Sequence, residues 1–300
     1  MYAITGATGN TGKVIVEKLL ARGEKVRVIG RDAARLAPLV QKGAEAFVAD
    51  VTDSSAMVQA FTGARAVYVM IPPNLAAPDA RAYQEQVSDS LAQATEKAGA
   101  EYAVLLSSVG ADKTERTGPV VGLHNFEQKL NDIARLKALH LRAGYFMENL
   151  LPQVNVIKSF GMMAGPVRAD LKLPFIATRD IGAFAAEALL ALNFTGKQTR
   201  ELLGQRDATY HEAAAVVGKA IGKPDLTYSQ LPLSQLKPAL TQMGMSTSMA
   251  DLLLEMAEAL NSGYMAALEP RSAQNTTPTS IEQFVTDEFA PRFTGKAVSA

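Results

Sequence analysis

The 300-residue chain contains no cysteine, which excludes disulfides, thiolate metal sites and a cysteine nucleophile together. Only three histidines occur, His124, His140 and His211. They are scattered and lack a His-Glu-x-x-His spacing, so no metal site is expected. Charge of one sign is not in excess either. Thirty Lys and Arg residues cancel thirty Asp and Glu residues, which gives no reason to expect nucleic acid or an anionic membrane as a partner. No apolar run approaches the roughly 20 residues that span a bilayer, and no charged-then-apolar leader precedes the first strand. The expectation is a soluble, cytoplasmic protein, in which the Asn193-Phe194-Thr195 and Asn275-Thr276-Thr277 sequons carry no glycan. A G-x-S-x-G elbow is also missing, which removes the commonest hydrolase signature.

What is present begins at the first residues. Tyr2-Ala3-Ile4 reads as a short apolar strand, and it runs into three glycines spaced by three, Gly6, Gly9 and Gly12. An apolar-periodic helix follows, with Ile15, Leu19 and Leu20 on one face and Gly23 at its end. Glycine is required where a turn is tight and a backbone must lie close to a phosphate. Asn10 or Thr11 is expected to cap the helix, whose free amides and positive dipole end would face a bound pyrophosphate. The strand-turn-helix context makes Gly6, Ala7, Thr8, Gly9, Asn10, Thr11 and Gly12 a candidate dinucleotide-binding turn.

Strands and helices alternate from there. Strand patterns occur at Lys25 to Arg31, Ala44 to Asp50, Ala66 to Ile71, Tyr102 to Ser108 and Leu139 to Arg142, with a long helix from Asp79 to Ala98. The runs at Ala66 and Tyr102 are almost continuously apolar, as central parallel strands buried on both faces must be. The fold class is therefore α/β, a doubly wound parallel sheet of the Rossmann type with right-handed crossovers. Beyond residue 150 the rhythm changes. Helices are expected at Leu151 to Phe160, Asp180 to Leu192 and Tyr210 to Gly222, with loops and short strands in Gly161 to Ile176 and a short strand near Glu201-Leu202-Leu203. Met249, Leu252, Leu253, Met256 and Leu260 fall at helical spacing, and Pro291 to Ala300 are expected to fray. A division into residues 1–150 and a smaller, mixed α/β lobe over 151–300 follows, the two interwoven through the helix at 180–192.

The end of the second strand separates the two pyridine dinucleotides, because an acidic residue there accepts from a ribose hydroxyl whereas arginine meets a 2′-phosphate. Here the strand ends in Gly30-Arg31, which favours NADP(H) over NAD(H). Asp32 either takes the ribose or caps the next helix, and the cap is the preferred reading. Asp50 and Val51 end the third strand, where the carboxylate either accepts from the adenine amine or caps the following helix. Ser107 and Ser108 stand at the carboxyl edge of the fifth strand, where they touch the nicotinamide, polarise a substrate carbonyl, or simply satisfy a turn. Methionines concentrate in the second half, among them Met162, Met163, Met243, Met245, Met249 and Met256. They pack a core or line an adaptable apolar pocket.

The glycine turn, Gly30-Arg31-Asp32 and the run Arg142-Ala143-Gly144-Tyr145-Phe146-Met147-Glu148-Asn149 resemble the NmrA-like group of atypical short-chain dehydrogenases. The likeness extends over nearly the whole chain, including Leu203-Gly204, the Tyr210-His211-Glu212 helix and the Gly222-Lys223-Pro224 turn. It implies a reductase of quinones, dyes or similar conjugated acceptors, or else a non-enzymatic sensor of the NADP(H) redox state that binds a regulatory protein. A homodimer is also open. The resemblance places Ile71 and Pro72 beside the nicotinamide ribose, and Tyr145, Phe146 and Asn149 around the nicotinamide. Tyr145 then contacts the substrate or belongs to the core. None of the eight tyrosines is followed by lysine four residues on, and Asn125 stands where the resemblance would put the tyrosine of an alcohol dehydrogenase. Lys129 matches the lysine that reaches the ribose or acts as acid and base; otherwise it is a solvated helix lysine.

Overall fold

The computed structural model describes residues 1–295. The first lobe runs β1 (Tyr2–Ile4), α1 (Asn10–Ala21), β2 (Val26–Gly30), α2 (Ala33–Gln41), β3 (Glu45–Val48), α3 (Ser54–Phe61), β4 (Ala66–Val69), α4 (Ala80–Lys97), β5 (Tyr102–Ser108), α5 (Val120–Asn131) and β6 (Lys137–Ala143). Strand positions predicted from the sequence hold for β1 to β6, with ends shifted by no more than two residues. Of these β6 alone is longer than expected, extending two residues earlier and one later than its apolar core suggested.

The chain then leaves the sheet. It forms β7 (Tyr145–Phe146), a 3-10 turn (Met147–Leu150), α6 (Gln153–Phe160), β8 (Met163–Gly165) and β9 (Leu173–Ile176). It returns as α7 (Thr178–Ala191) and β10 (Lys197–Leu202), and departs again through β11 (Asp207–Ala208), α8 (Tyr210–Ala220), β12 (Tyr228–Gln230), α9 (Leu233–Gln242) and α10 (Thr247–Asn261). A last helical stretch has α11 (Ile281–Phe284), a π turn (Val285–Phe289) and α12 (Ala290–Thr294). Pro291 to Thr294 are thus helical rather than frayed; the rest of the expected fray, 296–300, lies outside the described residues.

The main sheet has seven parallel strands in the order β10-β6-β5-β4-β1-β2-β3. Strand order reverses between β1 and β4, which opens a crevice at their carboxyl ends. Alternation sorts the core: Tyr2, Ile4, Val104 and Leu141 point to the face covered by α1 and α7, while Ala3, Val67, Ala103 and Leu105 point to the face covered by α3, α4 and α5. α7 docks closely on α1 because Gly182 lies at the contact; a Cβ there would come within 2.7 Å of the Thr11 carbonyl oxygen. Ile181, Ala185 and Leu189 of α7 share one apolar cluster with Ile15 and Leu19 of α1.

Residues 178–202 therefore belong to the first lobe, although they follow residue 150 in sequence. The short strand expected near Glu201 is longer, and it completes the sheet beside β6. The second lobe contains a three-stranded sheet, β11-β9-β7, a two-stranded one, β12-β8, and its own core around Phe175, Tyr210, Phe284 and Phe289. Among the described residues no helix is long and apolar enough to cross a membrane.

Candidate functional site

The glycine turn is built from backbone contacts. Gly6 has φ +60°, a left-handed conformation in which a side chain is strained, and Met70 of the β4 edge packs against it. A Cβ on Gly12 would fall 2.2 Å from the Gly6 carbonyl oxygen and 2.8 Å from Ala7 Cα, so no other residue lets α1 start so close to β1. The helix is not capped as expected. Gly9 is the N-cap and no side chain bonds to the first turn; Thr11 is buried, accepting instead from the Tyr68 hydroxyl at 2.9 Å. Burial holds the Tyr68 phenol far above its ordinary pKa, the Thr11 bond lowering it only in part. The amides of Asn10, Thr11 and Gly12 are left without intrahelical partners. An uncapped helix end beside a glycine cradle fits a pyrophosphate.

At the end of β2, Asp32 caps α2, accepting from the Ala34 amide at 2.8 Å and the Arg35 amide at 3.4 Å. Arg31 projects into solvent with its side chain 68% exposed and meets Asp50 only at 3.9 Å. Asp50 does not cap α3; that place is taken by Asp53, which accepts from the Ala56 amide. Asp50 instead accepts from the Thr52 amide at 2.9 Å and the Thr52 hydroxyl at 2.8 Å, closing a local turn next to Val51.

From the carboxyl edge of β4, β5 and β6 a cavity of about 750 Å³ extends toward the second lobe. Ile71, Pro72, Ser107, Ser108, Tyr145, Phe146 and Asn149 all line it, so the structure brings together every residue expected near the nicotinamide except Lys129. α10 forms the opposite wall through Met249, Leu253, Met256 and Leu260, one face of a helix read at i, i+4, i+7 and i+11. Met70 and Met265 also line the cavity. The other methionines divide: Met163 is buried in the second core, whereas Met243 is 82% exposed. The loop after α10 is held over the cavity by Glu201, whose buried carboxylate accepts from the amides of Leu268 and Glu269 at 2.8–3.0 Å, and by Arg271, which bonds the carbonyls of Leu203 and Gly204 and pairs with Asp207.

Lys129 lies elsewhere. Its ammonium bonds Glu85 at 2.7 Å, Asp89 at 2.6 Å and Ser88 at 2.9 Å, all on α4, and it does not line the cavity. Lys129 ties α5 to α4, and its ammonium stands away from the cavity in which a ribose or acid-base role was expected of it. The cause is helical phase. On α5 the buried side holds Phe126, Glu127 and Leu130, of which Phe126 and Leu130 pack with the sheet core, whereas Lys129 lies at the border of that side and turns to α4, where its ion pairs are.

The run from Arg142 to Asn149 is explained residue by residue. Arg142 reaches across to Glu127 with two bonds, 3.0 Å from Nε and 2.6 Å from a terminal nitrogen. A Cβ on Gly144 would lie 2.3 Å from the Pro174 carbonyl oxygen, so β7 can approach β9 only with glycine there. Met147 enters the second core. Glu148 caps α7 by accepting from the Thr178 amide at 3.0 and 3.2 Å and from the Thr178 hydroxyl, a carboxylate placed at a helix N-terminus. Burial pushes Glu148 above the usual carboxylate range despite the lowering effect of these bonds. Tyr145 and Asn149 are left facing the cavity.

The Tyr145 hydroxyl is 3.0 Å from that of Tyr210, and both rings pack edge-on against Phe175. Burial raises the pKa of both phenols; bonds from Tyr210 and Asn149 lower that of Tyr145 in part. Tyr145 is therefore a cavity wall with an engaged hydroxyl rather than a ready acid. Ser107 was a candidate from the sequence, but its tie to Glu127 and Arg142 was missed; Ser107 and Glu127 are 2% and 1% exposed. A signal existed: Glu127 falls between Phe126 and Leu130 on the buried side of its helix, and Arg142 shares the strand face of Ala138 and His140. Next to them His140 is pushed down to about 4, chiefly by burial; Glu127 acts against this, Arg142 and Lys197 with it.

The chain is similar to several known proteins. The NAD(P)H azoreductase of Xenophilus azovorans is 28% identical over 270 residues, spanning 89% of this chain and 90% of its own. Quinone oxidoreductase 2 of Escherichia coli is 28% identical over 257 residues, 85% and 86% of the two chains. The crystal structure of that quinone oxidoreductase with NADPH superposes with a TM-score of 0.79 at 24% identity, covering 95% of this chain and 99% of the other. Triphenylmethane reductase of Citrobacter sp. with NADP(H) gives 0.78 at 18% identity, with the same coverage. The fold they share with this protein is the doubly wound sheet with its smaller lobe. With the family's own pattern matched from residue 2 to residue 289, the chain belongs to the NmrA-like family.

Proposed function

We propose that this chain is an NADPH-dependent reductase that passes hydride to an electron-poor conjugated acceptor, a quinone or a dye of similar reach. The observation that carries the reading is the pairing of an uncapped glycine-turn helix with a mainly apolar cavity in which the Tyr145 hydroxyl is engaged with Tyr210. A bound dihydronicotinamide supplies the hydride; the protein supplies position and a dry, apolar site. The turn from Gly6 to Gly12, including Ala7, Thr8, Asn10 and Thr11, holds the pyrophosphate. Arg31 meets the 2′-phosphate, which favours NADPH over NADH, and Asp50 with Val51 borders the adenine. Ile71 and Pro72 border the nicotinamide ribose, while Ser107, Ser108, Tyr145, Phe146 and Asn149 surround the ring.

Tyr145 shapes the acceptor site with its ring. Its hydroxyl, bonded to Tyr210 and held well protonated, is poorly suited to deliver a proton. The tyrosine–lysine pair of alcohol dehydrogenases is not needed on this reading, and in the sequence Asn125 stands where the resemblance would put the tyrosine. Acceptors that spread negative charge over a ring system tolerate this, because they take hydride before any proton. Reduction of small-molecule acceptors is also what the names of the azoreductase and quinone reductase relatives describe.

The test is consumption of NADPH, followed by its absorbance, with a panel of quinones and dyes, and again with NADH. Turnover with at least one acceptor class, faster with NADPH, is the expected result. Tight NADP+ binding with no turnover on any acceptor would overturn the reductase and leave a redox sensor. No feature of the structure favours that second reading.

A further inference from the structure

Polar side chains that line the cavity near the carboxyl edge of the sheet include Gln84, Ser107, Ser108 and Tyr145, and each has a hydrogen-bond partner within the protein. Ser108 Oγ donates to the Val109 carbonyl at 2.9 Å. Gln84 Nε2 donates to the Pro119 carbonyl at 2.8 Å, leaving its Oε1 buried without a partner. The Tyr145 and Tyr210 hydroxyls share one bond. Ser107 Oγ donates to Glu127 Oε1 at 2.5 Å.

The last bond differs in kind, because its acceptor is an ion held in place. Parallel pairing sets Ser107 opposite Arg142 on the neighbouring strand, on the face that α5 covers, and Arg142 grips both Glu127 oxygens. A carboxylate so bound accepts only, so the serine hydrogen must point to it, and turning the hydroxyl into the cavity would forfeit a charge-assisted bond. The Ser107 lone pairs alone remain for a ligand.

We propose that the Glu127–Arg142 pair fixes Ser107 as an acceptor-only point in the cavity floor, which takes an N–H or O–H donor from a bound ligand; Glu127 is a positioning residue acting through Ser107. This rests on the reductase reading, which provides two sources of the same chemistry: the carboxamide of the nicotinamide ring and the hydroxyl of a reduced quinone. It also removes Ser107 as the polariser of an acceptor carbonyl, a role its sequence position left open.

The test is equilibrium binding to the full chain, without turnover, of two ligand pairs. One pair is NADP+ and its 3-acetylpyridine analogue, in which a methyl ketone replaces the carboxamide. The other is a naphthohydroquinone and its dimethyl ether. Wild-type protein is expected to prefer the donor-bearing member of one pair by about fivefold to tenfold, the worth of one hydrogen bond to a neutral group. Preference within the first pair assigns the donor to the cofactor, and within the second to the acceptor. Ser107→Ala is expected to abolish the preference. The double variant Glu127→Leu with Arg142→Met removes both charges, frees the hydroxyl to donate, and is expected to abolish it with Ser107 intact. If the double variant does not fold, Ser107→Ala decides alone. A purely structural role would weaken both members of a pair equally and leave the ratio unchanged. Ratios within about twofold in wild-type protein, or a preference that survives Ser107→Ala, overturn the proposal alone. Wild-type protein that binds no dinucleotide in either form overturns the cofactor reading and the proposal together.

Discussion

At the glycine turn, seven consecutive residues set the geometry and almost every decisive contact is backbone on backbone; in the cavity, the walls come from β4, β5, β7, α10 and the loop that Glu201 holds, and the contacts are made by side chains from residues far apart in sequence. The first region is held to one shape by close backbone approaches that only glycine allows. The second is lined by Met70, Met249, Met256 and Met265, whose unbranched thioether chains repack around differently shaped ligands. Beneath its apolar lining the cavity is stiffened by one buried ion pair. Rigidity thus sits in the glycine turn and under the sheet edge, and plasticity sits in the methionine-lined wall of the cavity.

The contrast can be broken most severely at Gly12. Gly12→Ala puts a methyl 2.2 Å from the Gly6 carbonyl oxygen, and dinucleotide affinity measured by fluorescence titration is expected to fall by more than about 100-fold. A loss below tenfold would mean that the turn opens easily. Under the cavity, Arg142→Met leaves Glu127 buried without its counter-charge and is expected to cost about 3–5 kcal/mol in urea unfolding, whereas the paired change to Leu and Met costs far less.

The same floor sharpens the comparison through pH. His140 is held neutral, its pKa lowered from 6.5 to about 4. Below pH 6.5 the unfolded chain binds a proton that the folded chain refuses, so this contribution to stability falls as pH drops from 6.5 to 4, by about 3 kcal/mol in total. His140→Gln is expected to flatten the slope of unfolding free energy in that window. At the far end of the turn, Arg31→Glu is expected to weaken NADPH about tenfold more than NADH, as read from the two dissociation constants; equal losses would detach Arg31 from the 2′-phosphate. The smallest effect is expected at Lys129. Lys129→Met is predicted to leave kcat within about twofold, since its charge is engaged by Glu85 and Asp89 outside the cavity. A hundredfold loss would restore it to the chemistry.

How far each region could be read beforehand follows from the same contrast. The glycine turn, the Asp32 cap and the apolar runs of β4 and β5 are local, and local spacing revealed them. The Arg142-to-Asn149 run was legible as a unit, yet what its members do was not, because Arg142, Gly144 and Glu148 each act on a partner 15 to 30 residues distant. Lys129 is a different case: a sequence match fixes position along a helix but not which neighbour the side chain meets, and here that neighbour is α4. β10 was under-read because only Leu202 and its neighbour Glu201 are buried, while Gln198 and Thr199 are exposed at the sheet's edge. The helix cap was expected at Asn10 or Thr11, residue types that commonly cap. Burial of Thr11 against Tyr68 removed one candidate, and the bare end is what leaves room for an anion.

The return of α7 and β10 has a consequence for how this protein must be made. Until residue 202 has left the ribosome, β6 is an open border of the sheet, and α1 lacks the helix that shields Ile15 and Leu19. A nascent chain stopped at residue 150 would expose both, so the nucleotide-binding half cannot mature during synthesis ahead of the half that follows it.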